Sequence, residues 1–279
     1  MTAPNIPDLP APLDYPLYGQ LLKRIVENRF ATTNQLARLT APRYKNLATA
    51  TRRTPVHLNR LDEHGYLIQM PQVIGGQKRG SGPKIWTATS KGNSAVTGKR
   101  KRPRKTERSA EFIAHTLAVT ETIVVLTELA QTDGLHDLQL TGEPGSWRTH
   151  LGPYGQTITL KPDLHLYART SGREYFAWLE VDRATENPGR VIRQCWRYDA
   201  YYRAGLEQQK AQVFPVVIWI CPSTKRAAQL SRHLSQHSAP AADGDHQKLI
   251  AEMFLVTTMA ELADTVRRGL APSGASKDK

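Results

Sequence analysis

Apolar residues recur at helical spacing in the first third of the chain. Leu17, Leu21, Leu22, Ile25 and Val26 share one face and predict a helix over Leu17–Phe30. Thr32-Thr33-Asn34-Gln35-Leu36 reads as a capped helix start that turns Leu36 and Leu39 inward. A third helix is expected from Thr54 to His64. Thr54 would be its N-cap, Pro55 its first residue, Val56, Leu58 and Leu61 its apolar contacts, and Gly65 its stop. The period then becomes extended. Tyr66–Met70 and Ile85–Thr89 predict two strands, separated by a Gly- and Lys/Arg-rich tip at Gly75–Pro83.

A helix apolar on more than one side is expected from Ser109 to Gln131, carrying Phe112, Leu117, Val119, Ile123, Val124, Leu126 and Leu129. Leu138–Leu140 begins a sheet. Thr157–Tyr167 predicts a strand interrupted by Pro162, and Tyr175–Val181 a strongly apolar one. Asn187-Pro188 opens a helix to about Leu206. Val213–Ile220 is a central strand, Thr224–His237 a helix, Met253–Val256 a strand and Met259–Arg268 a last helix. This order predicts an α/β sandwich with a mixed sheet, in which an antiparallel hairpin feeds a parallel crossover. The class is α/β, or α+β over the whole chain. The expected layout is 1–14 without fixed structure, a domain at 15–97, a linker at 98–108, a second domain at 109–269 and a tail at 270–279.

Charge sharpens the first domain. The chain has 279 residues and a formal net charge of +13. Residues 1–109 hold 20 Lys/Arg against 6 Asp/Glu, so the whole excess lies there. A polyanion is the natural partner, and nucleic acid is the commonest one. Three helices and a two-stranded ribbon with a basic tip make a winged helix-turn-helix, with the third helix in the major groove of double-stranded DNA. Arg52, Arg53, His57, Asn59 and Arg60 are its candidate contacts, with Lys78, Arg79 and Lys84 on the wing. The run Lys99–Lys105 reads as a solvated linker whose Arg100 and Arg102 can follow the DNA backbone. Two distant cysteines give no metal-binding cluster, and buried thiols in a reducing cytoplasm are expected. No signal peptide and no uninterrupted apolar run of membrane length is seen, so no membrane partner is expected.

The candidate chemistry lies in the second domain. Asp163 follows Pro162, where a strand ladder is already broken. Glu180 ends the next strand, with Asp182 two positions on and on the same face. Three converging carboxylates call for a cation, and Mg²⁺ or Mn²⁺ held by Asp163, Glu180 and Glu121 is the candidate. Gln194 and Tyr198 share a face of the following helix. Arg190, Arg193 and Arg197 accompany them as candidate phosphate contacts. Salt bridges from Glu180 and Asp182 to neighbouring arginines, and plain packing of Gln194 and Tyr198, are the alternatives.

Pro162-Asp163, Glu180-Val181-Asp182 and Gln194-x-x-x-Tyr198 resemble the PD-(D/E)xK nuclease core with the Q-x-x-x-Y helix of RecB-like members. The chain, and above all Phe176–Glu186, is similar to the replication-relaxation family of Gram-positive plasmids and integrative conjugative elements. The resemblance implies a winged helix joined to a restriction-endonuclease-like domain, with Asp163, Glu180, Asp182, Gln194 and Tyr198 as catalytic residues. It implies a role in plasmid replication, DNA relaxation or conjugative transfer, with a metal-dependent nickase as one form. A catalytically inactive adaptor or a transcriptional regulator is the other. Replication or conjugation proteins and a second copy of the chain are further candidate partners. Asp182 stands where the nuclease motif has lysine.

Overall fold

The computed structural model describes residues 15–70, 83–99, 109–132, 135–152, 154–185, 187–240 and 247–271. It packs as two compact units, 1–124 and 125–279, that divide within one long helix. Residues 100–108 of the expected linker lie outside the described residues, as do Lys78, Arg79, Arg100 and Arg102.

The first unit opens with α1 (Pro16–Asn28), β1 (Ala31–Thr32) and α2 (Thr33–Thr40). The capped start expected at Thr32 is present: Thr32 Oγ1 accepts from Gln35 N at 3.2 Å and Gln35 Oε1 accepts from Thr32 N at 2.9 Å. Helix α3 (Leu47–Glu63) corrects the reading of Thr54 as an N-cap. The helix begins eight residues earlier, where Asn46 Oδ1 accepts from Thr49 N at 2.9 Å. Pro55 is an interior residue. Its missing N–H would have met the carbonyl of Thr51, a residue exposed to water. Thr54 is buried on the core face with Ala50, Leu58 and Leu61.

Next come β2 (Leu67–Gln69), β3 (Ile85–Ala88) and α4 (Ser90–Thr97). The expected two-stranded ribbon is a three-stranded sheet, because β1 pairs antiparallel with β3 and gives the order β1-β3-β2. Helix α4 was not anticipated, since its residues carry no strong apolar stripe. Thr89 caps it and Gly98, at φ 65°, ends it. Leu21, Leu22, Ile25, Leu36, Leu58, Leu61 and Trp86 form the fully buried centre of this unit.

Helix α5 (Ala110–Thr132) starts in this unit. Thr120 Oγ1 donates to Phe30 O at 2.9 Å, and Gln35 Nε2 donates to Leu117 O at 2.9 Å. Among the described residues it is the one helix long and apolar enough, by length and composition, to cross a membrane. The sequence reading missed this because threonines and glutamates interrupt the run. The two hydrogen bonds tie its first half to Phe30 and Gln35 within the first unit.

The second unit holds β4 (Asp137–Gly142), β5 (Arg148–Leu151), β6 (Thr157–Leu160), β7 (Leu164–Arg169), β8 (Glu174–Val181), α6 (Pro188–Arg203) and α7 (Leu206–Ala211). It continues with β9 (Val216–Cys221), α8 (Thr224–His237), β10 (Ser238–Ala239), β11 (Leu249–Ile250), β12 (Phe254–Thr258) and α9 (Leu262–Leu270). A five-stranded sheet runs β12-β9-β8-β7-β4. Strands β4, β7 and β8 are antiparallel; β8, β9 and β12 are parallel. The fold is thus mixed α/β, with the hairpin-then-crossover order expected.

Pro162 does more than interrupt a strand. It splits the predicted Thr157–Tyr167 segment between two sheets, with β6 pairing β5 and β7 joining the main sheet. Ser146 Oγ donates to Pro162 O at 2.6 Å and fixes that joint. Helices α6 and α8 cover the face that carries Trp178, Val217, Trp219 and Cys221. Gly205, at φ 70°, follows the end of α6, close to the end expected at Leu206, and opens α7, which was not anticipated.

Gly92 in α4 lies against the backbone of Tyr66: an added Cβ would come within 2.2 Å of Tyr66 O. That carbonyl already accepts from Thr89 N at 3.0 Å and cannot yield easily. Gly92→Ala is expected to destabilise the protein by about 1–3 kcal/mol in denaturant titration, with the urea m-value unchanged.

Candidate functional site

The site is built on the pairing of β7 with β8. Leu164 stands opposite Leu179, so Asp163, one residue before, falls beside Glu180. Asp163 Oδ2 accepts from Val181 N at 2.8 Å, which ties the carboxylate to the partner strand. Trp178, Glu180 and Asp182 alternate onto the face under α6 and α8.

Helix α6 covers Glu180. Asn187 caps it and Pro188 occupies its first position. The Tyr198 hydroxyl, itself buried, donates to Glu180 Oε1, and the Gln194 side chain also hydrogen-bonds Glu180. Trp178 packs on Tyr198 at 5.4 Å between ring centroids. The structure therefore brings together Asp163, Glu180, Gln194 and Tyr198.

Burial pushes the Glu180 carboxyl well above its ordinary value, and the nearby Asp163 charge pushes it further. The hydrogen bonds from Tyr198 and Gln194 only oppose this, and Glu143 adds to the rise. The Tyr198 hydroxyl is raised too, first by burial and then by Glu180. Cys195 on α6 is a buried thiol whose pKa burial raises, with Glu180 contributing. Cys221 is pushed up to about 12 by burial and by Asp182.

Asp182 departs from the expected cluster. Its carboxylate is buried against Arg226 of α8, with Nε to Oδ2 at 2.6 Å and Nη2 to Oδ1 at 3.3 Å. Ala184 N also donates to Asp182 Oδ1 at 3.0 Å, in a turn where Ala184 takes φ 56°. Arg226 sits in the first turn of α8, where the helix dipole disfavours a cation. Asp182 supplies the compensating charge. Arg226 is the residue that sequence reasoning missed. Its only cue was an arginine three places after the N-cap Ser223, which reads as a surface residue.

Glu121 also departs from the reading as a metal ligand. Within the first unit its carboxylate takes a salt bridge from Arg38 and a hydrogen bond from Gln35 Nε2 at 3.0 Å. Among the described residues no three His, Cys, Asp or Glu gather into a metal-holding group. Asp163 and Glu180 remain as the pair on which a divalent ion could rest.

Arg190, Arg193 and Arg197 are exposed at helical spacing on α6, so they line its outer side. Over the Trp178 ring, Arg148 Nε is shared between both Glu207 oxygens at 3.0 and 2.9 Å, and Tyr201 OH donates to Glu207 Oε2 at 2.9 Å. In the first unit Arg52, Arg53, Asn59 and Arg60 are exposed on α3, and Lys84 is exposed at the start of β3. His57 is half-buried, unlike these neighbours. Its ring packs edge-on against Tyr18 at 5.1 Å and near Tyr44, Nδ1 is buried, and burial lowers its pKa.

The replication-relaxation family model matches residues 22–217, which is most of the chain. The chain belongs to the replication-relaxation family. The match runs through both units and includes Asp163, Glu180, Gln194 and Tyr198; Arg226 lies beyond it. No curated protein and no solved structure matches the chain. Membership in the replication-relaxation family gives the protein a role in the replication or relaxation of plasmid or mobile-element DNA.

The raised Glu180 carboxyl fixes a pH dependence. The folded state keeps this proton where the unfolded chain has lost it. Its contribution to stability is complete below the ordinary value of 4.5 and is lost as pH rises toward the raised value. Glu180→Gln, which still accepts from Tyr198, is expected to gain melting temperature relative to the parent as pH rises above 4.5. Breaking the buried ion pair needs no such proton. Arg226→Ala is expected to cost about 3–5 kcal/mol in chemical denaturation, and the Asp182→Ala/Arg226→Ala double variant to recover part of that loss.

Proposed function

We propose that this protein binds double-stranded DNA of a plasmid or integrative conjugative element and nicks it during replication, relaxation or transfer. The first unit is read as a winged helix-turn-helix. The order α1, α2, α3, β2, β3 and the exposed arginines of α3 support this, as does the charge excess of the first 109 residues. The second unit is read as a PD-(D/E)xK nuclease-like domain. The observation that carries the reading is the Asp163–Glu180 pair where β7 begins and β8 ends, with Gln194 and Tyr198 converging on Glu180.

Asp163 and Glu180 would hold Mg²⁺ or Mn²⁺, since a buried carboxyl raised by a neighbouring carboxylate is relieved by a cation. The ion, when bound, supplies Lewis acidity and charge for phosphodiester hydrolysis. Tyr198 and Gln194 orient the Glu180 carboxylate. Arg190, Arg193 and Arg197 lie on the outer side of the same helix and would hold DNA phosphates.

The Asp182–Arg226 pair favours a second reading. The position at which the nuclease motif carries lysine is an acid already neutralised. A protein of this kind would bind DNA as an adaptor or regulator and leave it uncut.

Supercoiled plasmid carrying the element's origin, incubated with Mg²⁺ or Mn²⁺, separates the two. The nicking reading expects open circles, with Asp163→Ala and Glu180→Ala each lowering the rate on the order of 100-fold while duplex binding persists. DNA bound but never nicked under either metal would sink that reading and leave the adaptor.

A further inference from the structure

The outer face of α3 has a definite centre. At 3.6 residues per turn, Arg52, Arg53, Val56, Asn59 and Arg60 fall on the side away from Ala50, Thr54, Leu58 and Leu61, which are buried. All five outer residues are exposed. Val56 is 53% exposed and stands in the middle. Arg52 and Arg53 lie four and three places before it, and Asn59 and Arg60 three and four places after it.

A single exposed valine means little on most surfaces. Between Arg52 and Arg60 it is the one exposed apolar side chain, on a face of three arginines and an asparagine. That set matches the edge chemistry of the DNA major groove. Arginine pairs with guanine O6 and N7, and asparagine with adenine N6 and N7. Thymine alone presents a methyl group there. Arg60 is already held in place, since its Nη1 donates to the Tyr18 hydroxyl at 3.1 Å. The His57 ring packs against Tyr18, to one side of this face.

We propose that Val56 contacts a thymine methyl, so that α3 reads sequence rather than only holding phosphate. This rests on the duplex-binding reading above. The ligand is a duplex with thymine at the position facing the middle of α3. Arginine and asparagine contacts to purines flank it.

The full-length protein is used to select bound duplexes from a random pool. The enriched duplex is then remade with each thymine replaced singly by deoxyuridine, which removes only the methyl. One position is expected at which deoxyuridine weakens binding about three- to tenfold, the effect of one buried methyl. Val56→Ala is expected to bind thymine and deoxyuridine duplexes equally at that position. The deoxyuridine measurement leaves the protein untouched, so its result does not depend on a variant folding. Duplex binding that no single deoxyuridine alters overturns this inference alone, as does a thymine effect that persists in Val56→Ala. A chain that binds no duplex overturns the duplex-binding reading together with it.

Discussion

Antiparallel pairing of β7 with β8 is the constraint on which the second unit depends. Side chains alternate in a strand, so one register decides which residues share a face. With Leu164 opposite Leu179, Asp163 meets Glu180, and Trp178, Glu180 and Asp182 all turn toward α6 and α8. A slip of one residue would send Glu180 to the other face. Pro162 and the Ser146 bond to its carbonyl hold the start of β7, and Asp163 itself bonds the backbone of β8.

The same face handles its charges in two different ways. Asp182 meets a guanidinium, so the pair is neutral and closed. Glu180 meets a phenol, an amide and another carboxylate, so it stays electrostatically unsettled. Buried groups with displaced pKa values gather where proteins do chemistry or bind ions. The contrast within one strand end locates the candidate site more firmly than the sequence motif does.

Much of this was legible in the sequence, and the failures have physical causes. The apolar run Tyr175–Val181 and the proline before Asp163 marked the strands and the acidic pair. Gln194 and Tyr198, four apart, gave their common face. What could not be read was long-range. Arg226 lies 44 residues from Asp182, and nothing local marks it as buried. Glu121 is claimed by Arg38 and Gln35 from far upstream. Thr54-Pro55 looked like a helix start because local signals favour it, yet Asn46 caps the helix earlier and the outward side of α3 tolerates the missing N–H. Strand β1 needed β3 to exist at all.

The two free cysteines add a consequence of their surroundings. Cys195 lies under Glu180 and Cys221 beside Asp182, and both are fully enclosed with thiols raised out of the reactive range. Alkylating reagents meet them only when the α/β core comes apart. The second unit therefore carries its own chemical clock: the rate at which these thiols are labelled records how often the sheet and its covering helices separate.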